Sequence, residues 1–241
     1  APLTEEGTSL RLTTPLESKP YVEMTIDALD HYGVKASASQ DLRSYHVDSQ
    51  SYHPADYEVE GDWSSASFMM AAGALSGDLM VQNLRGDSRQ ADRAIINILS
   101  RMGAEIITKK GYVKVRKSYL QPITTNLKNS PDLFPIVAAL CACAQGRSIL
   151  LGVRRLRFKE SDRIAAMTDG LGRMGIKVEE EGDRVIIEGG NPEGAVVDPY
   201  NDHRIAMALG VLALTAEGET RIRDAECVSK SYPAFWKRLE G

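Results

Sequence analysis

The sequence predicts an α/β (α+β) protein assembled from one repeated strand–helix–hairpin–helix motif, and three observations carry that prediction. Glycines that close helical patterns and open strand-like runs recur at Gly7, Gly77, Gly146 and Gly218, spaced by 70, 69 and 72 residues. A second series, Gly33, Gly103 and Gly175, is interleaved with the first at spacings of 70 and 72. Polar residues of similar type gather in the strand-to-helix loops of successive periods. Two independent series keeping one period mark a repeat architecture, in which each repeat is one supersecondary unit.

Taken in order, each period opens on a strand-like run: Thr8–Leu12, Asp78–Leu84, Arg147–Leu151 and Glu219–Arg223. A polar loop and an amphipathic helix follow. Ile95, Ile98, Leu99 and Met102 recur at helical spacing, as do Ile164, Met167, Leu171 and Met174. The glycines fit helix C-caps, where a left-handed backbone is tolerated at little cost. Hairpins come next, Ala104–Ile107 with Tyr112–Val115 across Lys109-Lys110-Gly111, and Ile176–Glu179 with Arg184–Glu188 across Glu181-Gly182-Asp183. The period closes on a more apolar helix, at Phe68–Leu75, Leu133–Ala144 and Ile205–Leu214, and Tyr232–Leu239 reads as a short final helix. Only six residues precede Gly7. The period therefore predicts a start near the end of a helix, in the C-terminal portion of a longer protein.

With 43% hydrophobic and 26% charged residues the 241-residue chain reads as a soluble globular protein. No run of about 18 apolar residues predicts a membrane span. The opening Ala1-Pro2-Leu3-Thr4-Glu5-Glu6 lacks the basic and apolar regions of a signal peptide, so a cytoplasmic location is expected. Three cysteines make no disulfide framework; Cys141 and Cys143 lie on different sides of one helix and read as buried small hydrophobes. The histidines, His31, His46, His53 and His203, lack metal spacing, so no metal is expected. A formal net charge of −4 argues against the extended basic face that nucleic acid requires.

Against that acidic background, Arg154 to Ile164 holds five basic and two acidic side chains in eleven residues. A cationic cluster at a strand-to-helix junction suits small anions, because helix N-termini add unpaired N–H groups and a positive dipole end. The other strand-to-helix loops are Ser18-Lys19-Pro20-Tyr21, Arg85-Gly86-Asp87-Ser88-Arg89 and Ser229-Lys230-Ser231-Tyr232. Lys159 and Arg163, four apart, would share a face if their helix starts early. The ordinary reading of such loops is capping: Ser161 or Asp162 as N-caps, Asp132 as a carboxylate complementing a helix dipole. His203-Arg204 opposes the dipole at a helix start, so an anionic neighbour is expected there.

Lys159-Glu160-Ser161-Asp162-Arg163, Asn201-Asp202-His203-Arg204-Ile205-Ala206-Met207, Gly61-Asp62-Trp63-Ser64-Ser65-Ala66-Ser67 and Ser18-Lys19-Pro20-Tyr21 together resemble the 3-phosphoshikimate 1-carboxyvinyltransferase (EPSP synthase) family, in order along the whole chain. The resemblance implies two domains of three βαβαββ units each, of the enolpyruvyl transferase type, with helices packed inside against sheets. Residues 1–60 would be the last unit of the N-terminal domain, and residues 61–241 a C-terminal domain of about three units. About two and a half N-terminal units, the other half of the cleft, would be missing. The implied reaction transfers the enolpyruvyl (carboxyvinyl) group of phosphoenolpyruvate to the 5-hydroxyl of shikimate 3-phosphate and releases phosphate. This is the shikimate-pathway step toward chorismate and the aromatic amino acids, run without cofactor or metal by a protein that is monomeric when complete.

By the same resemblance Asp132 matches the base for the attacking hydroxyl and Glu160 the group that moves a proton at the methylene carbon. Lys159, Ser18 and Tyr21 match the shikimate-phosphate side; Arg163, Arg204 and Lys230 match the phosphoenolpyruvate cations, with His203 a polar neighbour. Arg155 departs from the pattern, since the family often has a neutral amide there; Arg154 and Arg157 read as flanking charge. The related UDP-N-acetylglucosamine enolpyruvyl transferases share the fold but lack the two internal motifs. A non-catalytic anion-binding module is the other alternative, and one that could describe these 241 residues by themselves. The chemistry suits these residue types: two doubly anionic substrates need several fixed cations, for which arginine's planar fork is suited. Addition and elimination need an acid and a base, and two carboxylates supply both.

Overall fold

In the computed structural model, which describes residues 1–240, the glycine period is a period of chain reversals. The chain forms two compact bodies: residues 1–60 with 89–91, and residues 61–88 with 92–241.

The smaller body holds β1 (Thr8–Arg11), α1 (Lys19–His31), β2 (Ala36–Ala38) and β3 (Ser44–Val47). Its antiparallel sheet runs β1-β3-β2, with Thr8 opposite Val47 and Ala36 opposite Val47. Pro20 sits in the first turn of α1, where its missing N–H costs nothing.

The larger body continues with α2 (Trp63–Ser76), β4 (Leu79–Leu84), α3 (Ile95–Arg101), β5 (Glu105–Lys109) and β6 (Gly111–Arg116). A complete βαβαββ unit follows: β7 (Thr124–Asn126), α4 (Phe134–Cys143), β8 (Gly146–Leu151), α5 (Arg163–Arg173), β9 (Lys177–Glu181) and β10 (Arg184–Gly189). The next repeat holds β11 (Val196–Val197), α6 (His203–Ala213), β12 (Arg221–Ile222) and α7 (Phe235–Glu240). Sheet orders are β4-β6-β5, β7-β8-β10-β9 and β11-β12. The first strand of a repeat lies parallel to the second, as in β7 with β8 and β11 with β12, and the closing hairpin is antiparallel. Both expected hairpins form, around the two-residue loops Lys110-Gly111 and Gly182-Asp183.

Two kinds of helix divide the work. α2, α4 and α6 are apolar on nearly every side and pack on one another, with Trp63, Phe68, Ile136 and Leu209 fully buried. A helix apolar all round belongs inside a body. The strands β4 and β6 cover α2, β10 covers α4, and β12 lies on α6. α3 and α5 are two-faced. Among the described residues no helix is long and apolar enough to cross a membrane. Cys141 is fully buried on α4, its thiol pushed up to about 12 by burial.

The second glycine series is a single motif built three times. After α1, α3 and α5 the N–H of Gly33, Gly103 and Gly175 bonds the carbonyl of Asp30, Ser100 and Gly172; the next N–H, of Val34, Ala104 and Ile176, reaches Leu29, Leu99 and Leu171. That is the Schellman pattern, with φ of +81°, +86° and +80° at the glycines. The first series behaves differently. Gly77 is extended (φ −176°), and α4 and α6 end at Cys143 and Ala213, before Gly146 and Gly218. Gly77 does stand at the C-cap of α2, but in extended backbone, while Gly146 and Gly218 lie beyond the caps and serve the link into the next strand. The strands β2, β3, β7 and β11 have two to four residues each, too few for alternation to reveal them.

Candidate active site

Helix starts position the chemistry. Asp62 caps α2, accepting from the N–H of Ser64 (2.9 Å) and Ser65 (3.0 Å), and Asp202 caps α6, accepting from the N–H of Arg204 at 2.9 Å. Asp62, Asp132 and Asp202 recur every 70 residues. Asp132 is the exception in role. Ser130-Pro131 adds a 3-10 turn, Pro131–Leu133, ahead of α4, and no side chain caps either that turn or the helix. The carboxylate is released from capping and turns to cations.

Three of them hold it. Arg163 Nη1 lies 2.7 Å from Asp132 Oδ1, Lys159 Nζ 3.1 Å from the same oxygen, and Arg204 Nη2 3.4 Å from Oδ2. Burial pushes the Asp132 carboxyl up, but Arg204, Lys159 and Arg163 outweigh it and hold its pKa below the ordinary value. Arg163 is the hub. Its Nη2 donates to Glu160 Oε2 at 2.7 Å and its Nε to Asp202 Oδ2 at 2.8 Å, so every arm of the fork ends on a carboxylate. Burial works against its charge, yet those carboxylates raise its pKa. Ser161 Oγ donates to Asp202 Oδ2 at 3.2 Å.

Several expectations change in detail. α5 begins at Arg163, capped by Asp162 through the Ala165 N–H at 3.1 Å, and Lys159 precedes it in extended backbone. Lys159 and Arg163 therefore meet through Asp132, not through helical spacing. Ser161 is not a cap. Arg157 is structural, bridging Asp162 (2.8 Å) and Glu180 (2.5 Å), while Arg155 lies half-buried in the 3-10 turn Arg154–Phe158. The anion owed to His203-Arg204 comes from the protein itself, as Asp202 and Asp132. His203 is buried, and burial, then the Arg204 charge, lower its pKa, so it is neutral at pH 7.

Asp132, Lys159, Glu160, Arg163, His203 and Arg204 thus converge within the larger body. Lys230 ends the 3-10 turn Ala225–Lys230, which packs on α6, and is exposed. Ser18 and Tyr21 belong to the smaller body, where Ser18 precedes α1 in a left-handed conformation (φ 53°) and its carbonyl accepts the Tyr21 N–H at 3.0 Å. Two residues of the cluster were missed as site members. Asp202 was visible as one of three aspartates at the 70-residue period, and Asp92, bonded by Ser64 Oγ, as the counterpart of Asp162 one period earlier.

Chemically, one carboxylate under three cations beside a second, partly exposed carboxylate can bind small polyanions and move protons on and off them.

The sequence model of the EPSP synthase (3-phosphoshikimate 1-carboxyvinyltransferase) family matches residues 1–239. A 3-phosphoshikimate 1-carboxyvinyltransferase of Dehalococcoides mccartyi is 50% identical over 240 residues, covering 100% of this chain and 57% of that protein. One of Pyrococcus abyssi is 42% identical over 233 residues, covering 97% and 56%. The solved EPSP synthase of Acinetobacter baumannii superposes with a TM-score of 0.81 at 28% identity, over 99% of this chain and 57% of that one. The enolpyruvyl transferase NikO of Streptomyces tendae, at TM-score 0.77 and 20% identity over 99% and 56%, shares the fold. The chain therefore spans a little over half the length of the relatives it matches, and it belongs to the EPSP synthase family.

Proposed function

We propose that this chain supplies the C-terminal part of an enzyme that transfers the enolpyruvyl group of phosphoenolpyruvate to the 5-hydroxyl of shikimate 3-phosphate, releasing phosphate. Residues 1–60 would serve as the last unit of its N-terminal domain and residues 61–241 as its C-terminal domain. It would act in the cytoplasm, as a monomer when complete. The observation that carries the reading is Asp132 held by Lys159, Arg163 and Arg204, with Glu160 on the same arginine.

In this reading Arg204 and Lys230 take the carboxylate and phosphate of phosphoenolpyruvate, and Arg163 joins them by exchanging one of its carboxylates for the ligand. Lys159, Ser18 and Tyr21 face shikimate 3-phosphate, and His203 is a neutral neighbour. Asp132 is a poor base while three cations depress its pKa. Bound anions draw Lys159 and Arg204 toward themselves, which restores its basicity when the hydroxyl is in place. Asp132 then takes the hydroxyl proton as oxygen attacks the central carbon, and Glu160 delivers a proton to the methylene. Elimination reverses both: Glu160 removes a methyl proton, and the departing phosphate takes the proton held by Asp132. Acid–base work of this kind contributes about 10²–10⁴-fold, so positioning and charge must supply the rest.

The test joins this chain to the N-terminal part of the Dehalococcoides mccartyi relative and follows phosphate release from phosphoenolpyruvate plus shikimate 3-phosphate. Turnover by the joined protein, little or none by the 241 residues alone, and loss on Asp132→Asn are expected. Robust turnover by the chain alone, or by the joined Asp132→Asn protein, would overturn the reading.

A further inference from the structure

Asp92 is a fully buried carboxyl, 1% exposed, that the reaction above does not use. It lies in the 3-10 turn Ala91–Ala94 ahead of α3. Asp162 stands 70 residues later, also followed by arginine, and caps α5. Asp92 caps nothing: the first residue of α3 is preceded by Ala94, with no side-chain bond to the helix start. Its Oδ2 instead accepts from Ser64 Oγ in the first turn of α2, while Oδ1 is closed to solvent without a hydrogen-bond partner. A buried polar atom left unpaired costs about 1–3 kcal/mol, more if charged, so its retention calls for a physical reason.

The charged groups acting on it come from all three apolar helices. Arg204 of α6 favours the ionised form; Asp132 ahead of α4 and Asp62 at the start of α2 oppose it; Ser64 hydrogen-bonds it. Burial, the largest influence, lifts the pKa to about 6. Arg204 is the cation in that set, and an anion on Arg204 would both offset its charge and add negative charge nearby.

We infer that Asp92 is a charge-compensating residue for Arg204: when a carboxylate or phosphate anion takes the guanidinium, Asp92 binds one proton from solvent on its unpartnered Oδ1, and it returns the proton when the anion leaves. This rests on the reading of Arg204 as an anion-binding cation. No bond other than O–H forms or breaks. The neutral carboxyl spares the body a second buried negative charge beside the ligand, and the affinity of the site acquires a pH dependence that none of the ligand-touching cations would give it.

The experiment is calorimetric titration of the chain with phosphoenolpyruvate, and separately with inorganic phosphate, at pH 7 in two buffers of different ionisation enthalpy. Uptake approaching one proton per bound phosphoenolpyruvate is expected, lost in Asp92→Asn. Between pH 7 and 8 the wild-type affinity should fall by up to about tenfold more than that of Asp92→Asn. Should the variant fail to fold, the ¹³C carboxyl resonance of Asp92 in the wild-type chain gives the same answer: its apparent pKa should rise by about two units with saturating ligand, which is what an uptake near one proton at pH 7 requires. Binding without proton uptake, an Asp92 pKa indifferent to ligand, or uptake that survives in Asp92→Asn and so belongs to His203 or the ligand's phosphate would each overturn the coupling while leaving Arg204 as a binding residue. Binding of neither anion would overturn the Arg204 reading as well.

Discussion

Arg163 and Asp202 form an ion pair closed to solvent, Nε to Oδ2 at 2.8 Å with the side chains 1% and 0% exposed. Asp202 also caps α6 and accepts from Ser161, so three elements depend on one carboxylate. Breaking a buried pair by removing one partner leaves an uncompensated charge and costs about 3–5 kcal/mol. Asp202→Ala should lose that much in chemical denaturation. A loss under about 1 kcal/mol would mean the pair opens to water, contrary to this geometry.

Arg204 and Arg163 should separate binding from stability. Arg163→Ala strips the shared cation from Asp132, Glu160 and Asp202 and should cost stability on the scale just given. Among the described residues Arg204 holds one ion pair, at the longer distance of 3.4 Å, so Arg204→Ala should cost less stability than Arg163→Ala. Its affinity for phosphoenolpyruvate should nevertheless fall about 10–100-fold, the worth of a charge-assisted hydrogen bond. Denaturation and equilibrium binding on both variants check the ordering; equal destabilisation by the two would contradict it.

The carboxyls of Asp132 and Asp92 are pushed in opposite directions, so their stability effects have opposite signs. Asp132, with a lowered folded pKa, contributes stability that is present above its unfolded value near 3.8 and lost as pH falls through the folded one. Asp92, raised to about 6, binds its proton more tightly when folded. Its contribution is fully present below 3.8 and is lost as pH rises through 6. Asp92→Asn, which keeps an acceptor for Ser64, should therefore stabilise the chain by roughly 1–3 kcal/mol at pH 8 and by little at pH 4. Urea denaturation at the two pH values measures this; a benefit larger at pH 4 would reverse the assignment.

Gly103 and Gly33 differ in what a methyl group would meet. Both are left-handed, at +86° and +81°, but a Cβ on Gly103 finds its nearest neighbour at 3.8 Å, whereas on Gly33 it lies 2.6 Å from His53 Nδ1. Gly103→Ala should thus cost only the backbone term, about 1–2 kcal/mol. Gly33→Ala should cost more unless His53 moves away, and thermal unfolding of the two variants reports the order.

What could be read from the chain was local. The Schellman glycines, the two hairpins, the Asp162 cap and the amphipathic faces of α3 and α5 follow from residues within a turn or a hairpin of one another. The Lys159 to Arg163 run marked the site for the same reason, since its charge is concentrated in a few residues. The first glycine series misled, because Gly77, Gly146 and Gly218 keep the period without sharing the helix-cap conformation.

The sequence by itself therefore determined the repeat, the order of elements in it, and which loops carry charge, because backbone preference and side-chain periodicity act over a few residues. The tertiary structure decided the roles. Three aspartates stand 70 residues apart at equivalent helix starts, yet two of them cap helices and Asp132 is left to three cations. Coulombic pairing and burial depend on distance through space, and only the mutual packing of α2, α4 and α6 brings those helix starts close enough for such forces to act.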